Sequence, residues 1–299
     1  MAHRASASRR ALTPVARAAV RYGPTRVWRE RAWSRARHAG LHEPSRRFNS
    51  RTRFGFTIAG DQALIMPRCL HWFGQWEPLL TTWLRATLQP GDAFLDVGAN
   101  TGYYTMLASR AVGPSGSVVA LEPSATVRSA LEANLRRNRM TNVRVLRIAG
   151  ADREGTAPLY RAPWNDAETS TLPRHGHQRE AEVPTAPVLR LPSEDELARM
   201  RVAKIDVEGG ERAVLDGIRS DIERAPALQH VAIEVHPAEL AGQESSAHQL
   251  IAGFEPLGFG PSWLPVDFSE AAHLERPSAV VPRLDDVPND QLVHMILSR

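Results

Sequence analysis

The stretch "AFLDVGANTGYYTML", residues 93 to 107, decides the fold. An apolar run stops at Asp96, turns through Gly98 and Gly102, and continues with helical spacing. Strand, glycine turn and helix open a βα unit. In a parallel sheet, ligands bind beyond the carboxyl ends of the strands, where glycine lets backbone approach closely and a helix begins. The spacing D-x-G-x-x-x-G lacks the three-glycine turn that brings a helix N-terminus against a dinucleotide pyrophosphate, so phosphate is not the expected ligand. A strand-end carboxylate suits a cation, while the N–H groups of the turn suit a carboxylate. One ligand with an amino-acid end satisfies both.

Working outward, strands are expected over Ala93–Val97, Ser117–Leu121 and Val143–Ile148, with helices over about Gly102–Ala111 and Ala125–Arg139 between them. Such alternation with short turns predicts a mostly parallel α/β sheet covered on both faces. "VVALEP" ends on Glu122, 24 residues after Gly98, where an acidic side chain takes both hydroxyls of a ribose. The same glutamate also suits a cap for the next helix. An amino-acid end plus a ribose spells S-adenosylmethionine rather than NAD.

Upstream, "GFTIAGDQALIMP" alternates like a short hairpin, and "EPLLTTWLRATL" from Glu77 has helical spacing that Pro90-Gly91-Asp92 stops. Downstream, residues 158 to 196 are proline-rich with little periodicity, and read as an insertion or as loops around a short antiparallel pair. Inside it, the tract from Trp164 to His177, with Asn165, Asp166, Thr169, Ser170 and His175, reads either as a lid over a sugar's hydroxyls or as a surface loop. Regularity returns with "VAKIDVEGG", a helix over about Glu211–Ile218, and "HVAIEVHP". The expected organisation is an Arg-rich extension over 1–53, a hairpin and helix lead-in over 54–90, and an S-adenosylmethionine-binding domain over 91–299 whose segment 158–200 is the loop-rich substrate region.

Composition bounds the classes. The chain has 299 residues, is 42% hydrophobic, and carries no run of the roughly 18 apolar residues a membrane helix needs. The single cysteine, Cys69, can form neither an intramolecular disulfide nor a multi-cysteine Zn²⁺ site, and a cytoplasmic location is expected. Charge is distributed unevenly. Residues 1–53 hold 14 arginines against Glu30 and Glu43, whereas the remainder holds 23 basic and 31 acidic residues. The arginine segment suits a targeting peptide, a nucleic-acid arm or a patch for anionic lipid, and is expected to be a solvated or loosely helical extension. The net-negative remainder argues against a nucleic-acid substrate.

In "AKIDVEGG", Lys204, Asp206 and Glu208 alternate and so share one face of an extended chain; in "AIEVHP", Glu234 and His236 do the same. Three charges on one strand face are costly in a dry core and belong at a solvent-facing end over a site. Lys204 is the one lysine among 37 basic residues. It reads either as a chance survivor or as a group that orients Asp206 or helps deprotonate a substrate.

"GQWEPLLTTWLRATLQPGDAFLDVGANTGYYTMLA", "VALEPS", "LEANLRRN", "ADREGTAPLY" and "AKIDVEGGERAVLDGI" together resemble the FkbM family of class I S-adenosylmethionine-dependent methyltransferases, over roughly residues 70 to 240. The resemblance implies a seven-stranded Rossmann-like sheet with its last strand reversed, and methyl transfer to a hydroxyl of a sugar or natural-product small molecule. It places Asp96, Gly98 and Asn100 at the cofactor's methionine end, Glu122 at its ribose and Asp152 facing its adenine, with Gly102 and Asp206 also at the cofactor, and it favours the cofactor site for Glu77 over a plain helix N-terminal carboxylate. It also makes the two charged strands neighbours, so that five ionisable groups converge.

Methyl transfer from a sulfonium requires alignment and removal of a proton. The candidate bases are Asp206, Glu208 and His236, with Glu234 as orienter of the histidine or partner of Lys204. A divalent metal held by Asp206, Glu208, Glu234 and His236 is the less favoured arrangement. An RNA methyltransferase and a non-catalytic S-adenosylmethionine-binding protein are the alternatives.

Overall fold

The structure, a computed structural model, describes residues 2–41, 47–61, 64–235, 246–275 and 292–299, with backbone alone at 2–11, 47, 166 and 167. The chain forms two compact units, Met1–Thr81 with Asp267–Ser278, and Thr82–Val266 with Ala279–Arg299.

The first unit opens with helices α1 (Ala2–Tyr22) and α2 (Arg26–His38), the second capped by the Thr25 hydroxyl accepting from the Trp28 N–H. Of the expected solvated or loosely helical extension, these two segments are helical and bury one side. Val20, Trp33 and Ala36 are buried, and the Trp33 ring packs 5.1 Å from that of Trp72 and 5.2 Å from that of Phe73. Strands β1 (Arg47–Arg51) and β2 (Thr57–Asp61) pair antiparallel, and helix α3 spans Ile65–Trp72. This corrects the hairpin expected within residues 55 to 67. Its first strand pairs upstream instead, and Pro67 falls in the first turn of a helix, where a missing N–H costs nothing.

A buried cation closes the end of α3. Arg21 donates to the carbonyl of Leu70 at 2.6 Å, which also accepts from the Gly74 N–H, to the carbonyls of His71 and Trp72 in the last helical turn, and to that of Arg51. Helix α4 (Pro78–Thr87), with proline at its first position, carries the chain into the second unit.

There the elements follow as β3 (Ala93–Val97), α5 (Tyr103–Val112), β4 (Ser117–Leu121), α6 (Ala125–Asn138), β5 (Val143–Leu146), β6 (Ala149–Gly150), β7 (Gly155–Ala162), β8 (Asn165–Ser170), β9 (Gln178–Ala186), α7 (Glu194–Ala198), β10 (Met200–Ile205), α8 (Glu211–Asp221), β11 (His230–Val235), α9 (Ala247–Ala252), β12 (Gly260–Pro265) and β13 (Val293–Ser298). Seven strands form one sheet in the order β12-β13-β11-β10-β3-β4-β5. Neighbours from β11 to β5 are parallel, and β13 runs against both β11 and β12. This is the Rossmann-like class I methyltransferase sheet with its last strand reversed. Its central strands are buried, and Leu95, Val97, Val119, Ala203, Ile205, Val231 and Ile233 join one core with Val214, Leu215 and Ile218 of α8.

The proline-rich segment is a second sheet rather than loops around a short pair, in the order β6-β9-β7-β8. Its prolines occupy open edges. Pro158 precedes the part of β7 that β8 pairs, residues Tyr160–Ala162, and Pro184 precedes the part of β9 that β6 pairs, Thr185–Ala186. Neither ring removes a ladder hydrogen bond that a neighbour needs.

Candidate active site

The centre of the site is a cross-strand pair. Asp96 on β3 and Lys204 on β10 are register partners. Asp96 is fully buried; its Oδ2 accepts from the Thr105 hydroxyl at 2.6 Å, and its Oδ1 lies 3.7 Å from Lys204 Nζ. Lys204 Nζ is 3.0 Å from Asp206 Oδ2 and 5.1 Å from the centre of the Tyr104 ring. Burial drives the Asp96 carboxyl towards neutrality, against the attraction of Lys204. Burial also works against the lysine's charge, but Asp206 and Asp96 outweigh it and hold the lysine pKa above its usual value. Lys204 is an ammonium bridging two carboxylates.

Past β3 the chain turns through Gly98, whose φ is +77°; a Cβ there would stand 1.8 Å from the Asp206 carbonyl oxygen. Glycine is required because the two strand ends are joined, the Asp206 N–H donating to the Val97 carbonyl at 3.0 Å. An open cleft lies over this junction, walled by Gly98, Asn100, Glu122, Ile148–Gly150, Leu159, Thr169–Thr171 and Asp206–Glu208. Glu122 is the buried acid of that wall. One of its oxygens accepts from the Asn100 N–H and the other from the Ser124 N–H, both at 2.9 Å. Burial exceeds what these two bonds return, and its pKa is raised to about 7.

The small sheet supplies the opposite wall. Ser170 at the end of β8 donates to the Glu208 carbonyl at 2.8 Å, and Arg174 donates to the Glu208 carboxylate at 2.7 Å. Glu208 itself has left-handed backbone, φ +55°, a conformation that carries strain in a residue with a Cβ. The expected alternation therefore stops at Asp206. Strand β10 ends at Ile205, and Glu208 turns to Arg174 rather than sharing a face with Lys204.

Of the residues expected at the cofactor, Gly98, Asn100, Glu122 and Asp206 wall the cleft. Asp96 lies beneath it, engaged by Thr105 and Lys204. Gly102, with φ +95°, starts α5 where a Cβ would meet Leu131 at 2.4 Å. The Asp152 side chain lies outside the cleft wall, close to half exposed and beside Arg153. Glu77 belongs to the first unit, buried at the residue before α4 with φ +37°. Strands β10 and β11 are parallel neighbours, and the charge of Glu234 reaches Lys204. His236 lies outside the described residues. Of the tract expected as lid or loop, Thr169 and Ser170 wall the cleft and His175 is exposed.

Three residues escaped the sequence reading. Thr105 and Arg174 complete the coordination of Asp96 and Glu208, and nothing in the local pattern marks them. His294 on β13 stands directly opposite Glu234, with both side chains buried and a ring nitrogen within 4.8 Å of a carboxylate oxygen. A polar residue inside the apolar run "VHMIL" was its signal.

Residues 96–259 match the methyltransferase FkbM domain model. The chain is 30% identical over 186 residues, 51% of its length and 68% of the relative's, to the 31-O-demethyl-FK506 methyltransferase FkbM of Streptomyces tacrolimicus. Among solved structures, it is similar to the methyltransferase FkbM of Methylobacillus flagellatus KT, with 14% identity, 79% of this chain and 54% of that one covered, and a TM-score of 0.42. It is also similar to an S-adenosylmethionine-dependent O-methyltransferase of Thermotoga maritima, with 13% identity, 86% and 78% covered, and a TM-score of 0.44. The domain match and the Streptomyces relative establish that the chain belongs to the FkbM family of S-adenosylmethionine-dependent methyltransferases.

Proposed function

We propose that this FkbM-family methyltransferase methylates a hydroxyl group of a sugar or natural-product small molecule, with Asp206 as the group that takes the hydroxyl's proton. The observation that carries the reading is a carboxylate in the cleft wall held 3.0 Å from a buried ammonium, Asp206 against Lys204. An ion pair of this kind keeps the carboxylate ionised, and an ionised carboxylate is the state a base needs.

The cleft suits S-adenosylmethionine on its own chemistry. Gly98 leaves room where a Cβ has none, and Glu122 has one backbone donor on each oxygen, so each keeps lone pairs for the two hydroxyls of a ribose. Gly98 and Asn100 would hold the methionine end. When bound, S-adenosylmethionine supplies an electrophilic methyl group. Glu122 binds the ribose as a carboxylate, so affinity falls as pH drops below about 7 and the group protonates. Lys204 remains protonated and orients Asp206; Asp96, through Lys204, is a positioning residue. Thr169 and Thr171 offer hydroxyls to the acceptor, and Arg174 holds Glu208 at the mouth. The Streptomyces relative is named for 31-O-demethyl-FK506 as its acceptor, and this suggests a hydroxylated natural product as the first class to screen here.

The test pairs binding with turnover. Calorimetric titration with S-adenosylhomocysteine should give binding that Glu122→Ala weakens and Asp206→Asn leaves near wild type, while Asp206→Asn should lose most methyl transfer from a labelled donor to hydroxylated acceptors. Full turnover by Asp206→Asn, or label found on nitrogen rather than oxygen, would overturn the assignment. Absence of any S-adenosylhomocysteine binding would remove its foundation.

A further inference from the structure

We propose that the α1–α2 face of the first unit is a docking surface for a bilayer rich in anionic lipid. Seven large apolar side chains are exposed among the described residues, and six of them, Leu12, Val15, Tyr22, Val27, Trp28 and Ile65, lie in the first unit. Five of those six belong to α1 and α2, in the same segment that holds 14 arginines against two acids. Exposed apolar groups and excess cations are thus concentrated together.

Their spacing makes a surface. Leu12, Val15 and Tyr22, with half-buried Ala19 between, follow one another at helical intervals along the outer side of α1, whose inner side carries buried Val20 and Arg21. On α2, Trp28, Arg31 and Arg35 share a face by the same rule, with Val27 one turn before Arg31. Gly23 joins the two stripes. A Cβ there would lie 2.4 Å from the Trp28 ring, so the indole rests on the backbone one residue after Tyr22.

The nearby acids are already engaged. Glu30 and Glu275 pair with Arg26, and Glu270 pairs with Arg37. Arg31 and Arg35 are exposed with no ion pair among the described residues. An amphipathic helix lying in a bilayer interface buries aliphatic and aromatic side chains at headgroup depth while its arginines reach anionic headgroups. A nucleic acid would engage the arginines alone and leave Leu12, Val15 and Val27 in water. Lipid satisfies both halves of the surface, which is why it is the occupant chosen.

The test uses the full chain and vesicles of phosphatidylcholine with and without phosphatidylglycerol. Co-sedimentation should occur with the anionic vesicles and be weakened by added salt. Val15→Asp/Trp28→Asp and Arg31→Glu/Arg35→Glu should each reduce it by at least about tenfold. Far-UV circular dichroism checks the helices of each variant, and an unchanged S-adenosylhomocysteine affinity checks the second unit separately. Independently of any folding change, brominated lipid should quench wild-type tryptophan fluorescence, and Trp28→Phe should lose that quenching. No sedimentation with anionic vesicles, or no quenching, overturns the proposal. So does binding that Val15→Asp/Trp28→Asp leaves intact while a short RNA competes it away, which would mark a nucleic-acid arm.

Discussion

Arg21 in the first unit and Lys204 in the second, both buried, show how differently the same charge can be kept inside a protein. Arg21 is met by backbone carbonyls of α3 and of Arg51, while Lys204 is met by the carboxylates of Asp96 and Asp206. Burial and the neighbouring charge of Arg17 lower the arginine's pKa to about 10, whereas the carboxylates overcome burial and raise that of the lysine. Dipoles hold a charge in place without fixing its ionisation; counter-ions do both. The first arrangement closes a helix. The second holds Asp206, in the wall of the cleft, against a buried ammonium.

Removing Lys204 is the harshest way to break the comparison. Lys204→Ala leaves Asp96 buried without its counter-ion, and denaturant unfolding should show a loss of about 3–5 kcal/mol. Adding Asp96→Asn should recover a large part of it, since the stranded charge is then gone. A smaller loss for the single variant than for the pair would show that Asp96 is not ionised in the wild type.

Glu122 extends the comparison to an anion, because it too is served by backbone dipoles, two N–H groups, and is pushed towards neutrality. Between its ordinary 4.5 and its folded value of about 7, the folded chain retains a proton that the unfolded chain has lost. Stability should therefore fall as pH rises through that window, by up to about 3 kcal/mol, and Glu122→Gln should flatten the fall. A wild-type profile that rises over the same window would remove the raised pKa from the account.

Arg21→Ala should cost about 1–3 kcal/mol, the penalty for leaving the carbonyls at the end of α3 unserved, with no change in S-adenosylhomocysteine affinity. Smallest in energy, and most telling for the site, is Lys204→Arg. It keeps the charge but replaces a compact ammonium with a planar fork, so the cofactor should bind normally while methyl transfer falls by about tenfold. Full turnover by Lys204→Arg would reduce Lys204 to a structural ion.

The sequence disclosed what local chemistry controls. The βα units from Ala93 to Leu146 were legible because their strands are mostly apolar, their helices periodic and their glycines placed at the turns. Glu122 was legible because it ends an apolar strand, and Asp206 because it alternates with Lys204 just before a glycine pair. What escaped depends on register and on neighbours distant in the chain. The pairing of Asp96 with Lys204 is set by how β3 lies beside β10, and nothing between residues 96 and 204 encodes it locally. Strands β7 to β9 were obscured by prolines that only their final pairing shows to be at open edges. The departure of Glu208 from the strand face comes from a left-handed residue and a distant arginine, which alternation cannot anticipate.

The reversed strand has a consequence for the order in which the molecule is made. Strand β12 touches the large sheet only through β13, which lies between it and β11. Residues 260–265 thus leave the ribosome with no sheet partner available and must wait for residues 293–298 before either can be seated. Five parallel strands are complete by Val235, so a nascent chain of that length carries an open edge at β11 that β13 later covers.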